Sequence, residues 1–129
     1  MGLPDILLDS DVIIAWLRGL EPFRSVLPGM LEKGKSLSWT VESVAEIFAG
    51  ARPKEERDIV NLFIVLELLP LTEEIGKKAG LYLAAYARSH GVELGDAMIA
   101  AAASGNKIPL WTLNKKHYPM KDIRFFSAG

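Results

Sequence analysis

The stretch that decides the fold is ILLDSDVIIAWL, which spans residues 6–17. It begins with Ile6–Leu8, a short apolar run typical of a strand buried on both faces. The run ends at Asp9, Ser10 and Asp11, residue types that cap helices, so a helix is predicted to follow at once. Open α/β proteins bind ligands at the carboxyl ends of such strands, which makes these carboxylates candidates for a site. They could equally be helix caps alone, and this stretch by itself leaves both interpretations open.

The rest of the chain repeats the alternation of apolar strands and amphipathic helices. After the first strand, four more are predicted at 36–39, 68–71, 108–112 and 122–126. Helices are predicted from Val12 to Leu17, from Pro22 to about Gly34, after Thr40, from Pro53, from Glu73 to His90 and from Leu94. This alternation predicts a three-layer α/β/α fold, with a parallel sheet of about five short strands between helices. The length of 129 residues suits one domain over residues 1–129.

The composition excludes several classes of protein. Hydrophobic residues make up 50% of the chain and charged residues 24%, so the chain should be globular. A net charge of −1 argues against a strongly basic nucleic-acid-binding module. The lack of cysteine excludes disulfides, thiolate zinc sites and a cysteine nucleophile, and it fits a reducing compartment, so a cytoplasmic protein is expected. No apolar run approaches the length of about 20 residues that a membrane span needs.

Polar residues that could carry chemistry occur at four places along the chain. Asp9 ends the first strand, Glu46 lies in VAEIFAG, Asp96 begins an alanine-rich helix, and Thr112 and Asn114 follow the fourth strand. Each has a structural alternative: a solvated helix face for the glutamate, an N-cap for Asp96 and a turn for the asparagine. Several acids at one sheet edge would repel one another unless a cation lay among them. Oxygen ligands suit Mg²⁺ or Mn²⁺ rather than zinc or copper.

Four segments in order, LLDSDVIIAWL, TVESVAEIFAG, LGDAMIAAAA and LWTLNKKHYP, resemble the successive motifs of PIN-domain ribonucleases. The resemblance is strongest to the small toxins of VapBC toxin–antitoxin pairs. It implies a sheet of order 3-2-1-4-5, metal-binding acids at Asp9, Glu46 and Asp96, and a hydroxyl at Thr112. It also implies an endoribonuclease that uses Mg²⁺ or Mn²⁺, cuts cellular RNA, forms a homodimer and binds a cognate antitoxin.

The chain departs from the family pattern after the fourth strand. The family usually has an aspartate there, whereas this chain has Asn114 and His117. Asn114 can still offer a carbonyl oxygen, and His117 is a further candidate ligand. Asp11 stands where the family commonly has Asn or Ser, so it could replace some of the missing charge. Glu42, one helical turn before Glu46, is a candidate supporting group.

Metal-bound water explains how such a site would cut RNA. One or two divalent ions neutralise the phosphodiester, lower the pKa of a bound water and stabilise the leaving oxygen, so no side-chain nucleophile is needed. Four basic residues are predicted to contact the RNA backbone around the rim, although exposed loop residues are the simpler interpretation of each. They are Arg52, Lys54, Lys115 and Lys116.

Two other functions compete with this interpretation. A PIN fold that has lost activity could serve only as a binding module, which the altered fourth acid position allows. A haloacid dehalogenase-type phosphatase is suggested by Asp9-Ser10-Asp11 and by Gly95-Asp96, which resemble two signatures of that family. That family needs its Thr or Ser strand end before the later Gly-Asp motif, whereas here IPLWT follows it.

Overall fold

The structure, a computed structural model, describes residues 2–128. Short strands alternate with helices in that part of the chain, as the sequence predicts. The elements in chain order are β1 (Ile6–Leu8), α1 (Ser10–Leu17), α2 (Phe23–Glu32), β2 (Leu37–Trp39), α3 (Val41–Ala49), α4 (Glu56–Val65), β3 (Glu67–Leu68), α5 (Glu73–His90), α6 (Leu94–Gly105) and β4 (Leu110–Trp111). Short 3₁₀ turns lie at Pro53–Glu55 and Lys115–His117. No helix within residues 2–128 is both long and apolar enough to cross a membrane.

The four strands form one parallel sheet of order β3-β2-β1-β4. Leu7 in β1 lies opposite Ser38 of β2 on one side and Leu110 of β4 on the other. The chain therefore leaves β1 toward one edge of the sheet and later returns on the other side of it. In open parallel sheets such a reversal opens a crevice at the carboxyl ends of the two strands, here β1 and β4, which is where a ligand site is expected.

The predicted fifth strand, 122–126, takes its expected place beside β4 but is not a full strand. Phe125 forms a single parallel bridge with Leu110. The N–H of Leu110 donates to the carbonyl of Arg124, and the N–H of Phe126 donates to the carbonyl of Leu110, each at 2.8 Å. The prediction was right about position and wrong about extent.

The third and fourth strands are also shorter than predicted. β4 covers only Leu110–Trp111 rather than 108–112, since Pro109 has no N–H for a ladder and Thr112 turns its hydroxyl toward β1. β3 covers Glu67–Leu68 rather than 68–71, and Pro70 follows it. In both segments a proline lies close to the strand, and its missing N–H cannot extend the ladder.

Two hydrophobic cores lie on opposite faces of the sheet. The alternation of side chains along a strand sends Leu7 and Leu110 into a core with α5 and α6. Ile6, Leu8 and Trp111 point the other way, into a core with α1 to α4. Because both faces of the central strands are covered, β1 and β4 are apolar throughout, and the molecule has the predicted three layers.

The helix boundaries follow from their caps. Thr40 and Thr72 accept the N–H groups of Ser43 and Ile75, as the sequence predicts for α3 and α5. α5 ends at Gly91, whose φ of 66° is the left-handed conformation that favours glycine. The helix predicted from Pro53 divides into a 3₁₀ turn and then α4. α1 begins earlier than predicted, at Ser10, because Asp9 is its cap.

Candidate functional site

Asp9 lies at the carboxyl end of β1 and is 8% exposed. Its Oδ1 accepts the N–H of Ser10 at 2.8 Å, which caps α1. Its Oδ2 accepts the hydroxyl of Thr112 at 2.8 Å and the hydroxyl of Tyr118 at 2.7 Å. Asp9 can therefore cap α1 and take part in a site at the same time, because Oδ1 accepts the helix N–H while Oδ2 faces Thr112 and Tyr118. Thr112, predicted from the fourth strand, meets Asp9 across the crevice.

Tyr118 is a residue of this site that the sequence did not reveal. Its side chain is buried, and burial followed by the nearby Asp9 carboxylate raises the pKa of its hydroxyl far above the ordinary value. The hydroxyl therefore remains protonated and donates to Asp9. The only signal in the sequence is a tyrosine directly after His117, which looks the same as an aromatic residue that fills the core.

Glu46 lies on an exposed part of α3 and faces the start of α1. The Ser10 hydroxyl donates to Glu46 Oε2 at 2.5 Å, so Ser10 links Glu46 to the end of β1 that carries Asp9. One turn earlier, the carboxyl of Glu42 lies within hydrogen-bonding reach of the Glu46 carboxyl. Burial, and then this contact and the charges of Glu46, Asp9 and Asp96, raise the pKa of Glu42 to about 8. Glu46, Asp9 and Asp96 therefore all lie within electrostatic range of Glu42.

Asp96 lies in the first turn of α6 and combines a cap with a place in the cluster. Its Oδ2 accepts the N–H of Glu93 at 3.4 Å, which completes a capping box. The pKa of Asp96 is raised overall. Burial raises it most and the Asp9 charge adds to this, while the N–H of Glu93 and the nearby His117 oppose the rise. His117 is thus close enough to Asp96 to act on its charge, while its own side chain is exposed.

Asp11 anchors the segment that follows β4. Its carboxylate accepts the N–H of Leu113 at 3.2 Å and the side-chain amide of Asn114 at 3.3 Å. Burial and then the Asp9 charge raise the pKa of Asp11 to about 6. Asn114 also donates its N–H to the hydroxyl of Thr112 at 3.1 Å. Because its amide nitrogen points to Asp11, Asn114 is positioned by that acid, and both residues lie beside the crevice.

The four basic residues predicted at the rim divide into two groups. Lys115 and Lys116 are exposed in the turn after Asn114, and the Lys115 ammonium lies 5.5 Å from the centre of the Phe125 ring. Arg52 and Lys54 instead line a separate hollow past the end of α3. There Arg52 pairs with Glu55 at 3.9 Å. The structure therefore brings only the two lysines into the same turn as site residues.

The donor chemistry of the cluster fits a divalent cation of the Mg²⁺ or Mn²⁺ type. Asp9, Glu46, Asp96 and Glu42 offer only hard carboxylate oxygens, and Glu42 Oε2 is buried without a hydrogen-bond partner. No three acidic or histidine side chains of residues 2–128 enclose a metal position as they stand. Instead, hydroxyls satisfy Asp9 and Glu46, and a backbone N–H satisfies Asp96. The arrangement is a set of carboxylates held near one another by neutral donors.

Comparison with known proteins gives consistent matches. The PIN domain family pattern matches residues 6–123. The chain is 41% identical over 116 residues to Ribonuclease VapC10 of Mycobacterium tuberculosis, and the alignment covers 89% of this chain and 86% of that protein. Ribonuclease VapC19 of the same species is 28% identical over 115 residues, with coverage of 88% and 92%. The crystal structure of DNA-bound VapBC from Salmonella typhimurium has a similar fold, with a TM-score of 0.77, 23% identity and coverage of 96% and 98%.

Proposed function

The chain belongs to the PIN domain family, and from this premise we propose that it is a metal-dependent endoribonuclease, the toxin of a toxin–antitoxin pair. One observation supports this most strongly. Three acids on separate elements, Asp9, Glu46 and Asp96, come together at the carboxyl edge of the sheet, where a fourth carboxylate and three hydroxyl donors surround them. Such an arrangement repels itself unless a cation is bound, and a cation at this place can act on a phosphodiester.

Asp9, Glu46 and Asp96 would hold Mg²⁺ or Mn²⁺. The bound ion supplies positive charge that neutralises the phosphate and lowers the pKa of a water molecule. The chain's own residues prepare the site. Tyr118 and Thr112 hold the Asp9 carboxylate in one orientation, and Ser10 does the same for Glu46. Preorganised ligands of this kind cost little reorganisation when substrate binds.

The attacking group would be water rather than a side chain. The hydroxyl of Ser10 donates to Glu46, and the hydroxyl of Thr112 donates to Asp9. Both hydroxyls therefore orient carboxylates instead of being activated by a base. His117 is exposed and near Asp96, which suits a residue that meets substrate at the rim. Asn114, fixed by Asp11, can present its amide oxygen toward the crevice or hold a water there.

The substrate we propose is single-stranded or looped RNA in the cytoplasm. A chain with a net charge of −1 has little general attraction for a phosphate backbone, so recognition depends on unstacked bases and a few cations. Lys115 and Lys116 lie in the turn that continues from Asn114, where they could contact phosphates on either side of the cut. Arg52 and Lys54 would contact RNA only further along the strand.

The protein partners we propose are a second copy of the chain and a cognate antitoxin. α4 exposes Phe63 at 54% and Ile64 at 79%, and Phe48 of α3 packs beside Phe63 with ring centres 5.9 Å apart. Contiguous exposed apolar side chains of this kind are typical of interaction surfaces. Phe23 of α2, in contrast, is buried against Trp111. Light scattering at micromolar concentration should give a dimer, and a monomer would contradict the first partner.

Cleavage of RNA by purified protein tests the function. We expect wild type to cut in Mn²⁺ or Mg²⁺ and to stop in EDTA, and we expect Asp96→Asn and Asp9→Asn to lose most cleavage. Asparagine also caps helices well, so Asp9→Asn removes the charge while α1 keeps its cap. Asp58→Asn, an exposed acid on α4, is the matched control and should cut normally. Undiminished cleavage in EDTA or in Asp96→Asn contradicts the proposal, and no cleavage in any metal favours an inactive PIN-fold binding module.

A further inference from the structure

We propose that Glu42 is a fourth carboxylate ligand of the metal site, and that residue 95 is glycine because the Glu42 side chain needs its space. The inference rests on the function proposed above and adds a residue to its site. It places the additional negative charge on α3, one turn before Glu46, rather than on the segment after β4. The contacts of Glu42, the backbone of Gly95 and the contacts of Asp11 support it independently.

The surroundings of the Glu42 carboxylate lack a positive partner. Its Oε2 is buried from solvent and accepts no hydrogen bond. The nearest ionisable group is the carboxyl of Glu46, which also offers only lone pairs when ionised. A buried acceptor without a donor is costly, and two facing carboxylates repel each other unless a proton or a cation lies between them. A divalent cation between them would satisfy both groups at once.

Gly95 is explained by Glu42 rather than by its own backbone. A Cβ added at Gly95 would lie 2.5 Å from Glu42 Oε1 and 3.1 Å from Glu42 Cδ. The glycines with positive φ in the described chain are Gly19, Gly34 and Gly91, so the backbone at 95 would accept any residue. Alanine is the better helix former in α6, yet glycine stands there. The Glu42 carboxylate is therefore packed against the first turn of α6, one residue from Asp96.

Asp11 is the other extra acid near the site, and its contacts exclude it from the same role. Both of its carboxylate oxygens accept hydrogen bonds from the segment after β4, including the N–H of Leu113 and the amide of Asn114. A metal at Asp11 would have to break those bonds, whereas a metal at Glu42 would break none at Oε2. Of the two acids, Glu42 is thus the one that is free to bind a cation.

Equilibrium Mn²⁺ binding, measured by titration calorimetry on the chelator-treated full chain, tests the inference without relying on activity. Glu42→Gln keeps the shape and removes the charge, so Mn²⁺ should bind about tenfold more weakly or worse. Gly95→Ala should also weaken binding, because its Cβ displaces the carboxylate. In the Glu42→Ala background, Gly95→Ala should cause no further loss. Glu32→Gln, an exposed acid on α2, should bind as wild type does.

The outcomes separate this inference from the proposed function. If Asp9→Asn weakens Mn²⁺ binding and Glu42→Gln does not, Glu42 is no ligand and only this inference is overturned. If neither variant changes the affinity, the metal site itself is wrong. If Gly95→Ala weakens binding equally with and without Glu42, the glycine acts through something other than the Glu42 side chain. Circular dichroism of every variant shows whether a loss reflects binding rather than unfolding.

Discussion

Removal of one hydroxyl group, by Tyr118→Phe, tests how the site is held together before any metal binds. Tyr118 donates to Asp9 Oδ2 at 2.7 Å, and both residues are buried, with exposures of 3% and 8%. The variant leaves the ring in place and removes only the donor. Asp9 Oδ2 then keeps a single hydroxyl partner, Thr112 at 2.8 Å. The substitution therefore isolates one charge-assisted hydrogen bond between the loop after β4 and the end of β1.

The size of the effect follows from the burial of this bond. A hydrogen bond to a charged group contributes about 1.5–3 kcal/mol, and these two partners have little access to replacement water. We expect the free energy of unfolding of the metal-free protein to fall by about 2 kcal/mol, and the melting temperature by roughly 5–10 °C. Burial and Asp9 raise the pKa of the Tyr118 hydroxyl, so the effect should be constant from pH 5 to pH 9. Mn²⁺ should reduce the loss, since a cation replaces the missing donor.

Urea unfolding in EDTA and in Mn²⁺ measures both quantities. Tyr86→Phe is the matched control, because Tyr86 is half-buried on α5 and packs its ring against His90 with centres 5.6 Å apart. It should change stability by less than about 0.5 kcal/mol. A Tyr118→Phe protein as stable as this control would show that Asp9 does not depend on the hydroxyl.

Two further predictions concern charge. In EDTA, the free energy of unfolding should fall as the pH rises from about 4.5 toward 8, because Glu42 has an ordinary pKa of 4.5 and a pKa of about 8 in the folded chain. Glu42→Gln should reduce this fall by on the order of 1 kcal/mol after solvent screening. An equal slope in both proteins, by urea unfolding at pH 5 and pH 8, would contradict it. Lys115→Ala with Lys116→Ala should slow the cleavage of every RNA without moving the cut, because phosphate contacts position but do not specify. Cut sites mapped on total cellular RNA check this, and a shifted site would be evidence against the role of the lysines.

The layers of the fold could be predicted from the sequence because the strongest patterns are local, whereas the strand order followed from the resemblance to the PIN family. The run Ile6–Leu8, the caps Thr40 and Thr72 and the glycine after His90 each act within a few residues. Strand lengths could not be predicted, because they depend on pairing across the sheet. Pro109 and the single bridge of Phe125 shorten the ladder at an edge, and no local pattern shows how many residues find a partner.

The candidate acids could be picked out in the sequence, while the contacts that surround them could not. Asp9 and Asp96 stand at the starts of helices, and Glu46 lies one turn from Glu42, so their placement follows from element boundaries. The Tyr118 hydroxyl reaches Asp9 across a separation of 109 residues, and only the folded chain brings them together. The same is true of Asp11, a candidate for the missing charge, whose carboxylate accepts hydrogen bonds from Leu113 and Asn114.

The location of Mn²⁺ in crystals of the protein tests the central claim most directly. Anomalous scattering identifies the ion without any assumption about activity. We expect a peak at the carboxyl edge of β1 and β4, within about 2.5 Å of carboxylate oxygens from Asp9, Glu46 and Asp96. An empty edge in crystals grown with millimolar Mn²⁺, or peaks only at other surface acids, would contradict the claim that these residues form a metal site.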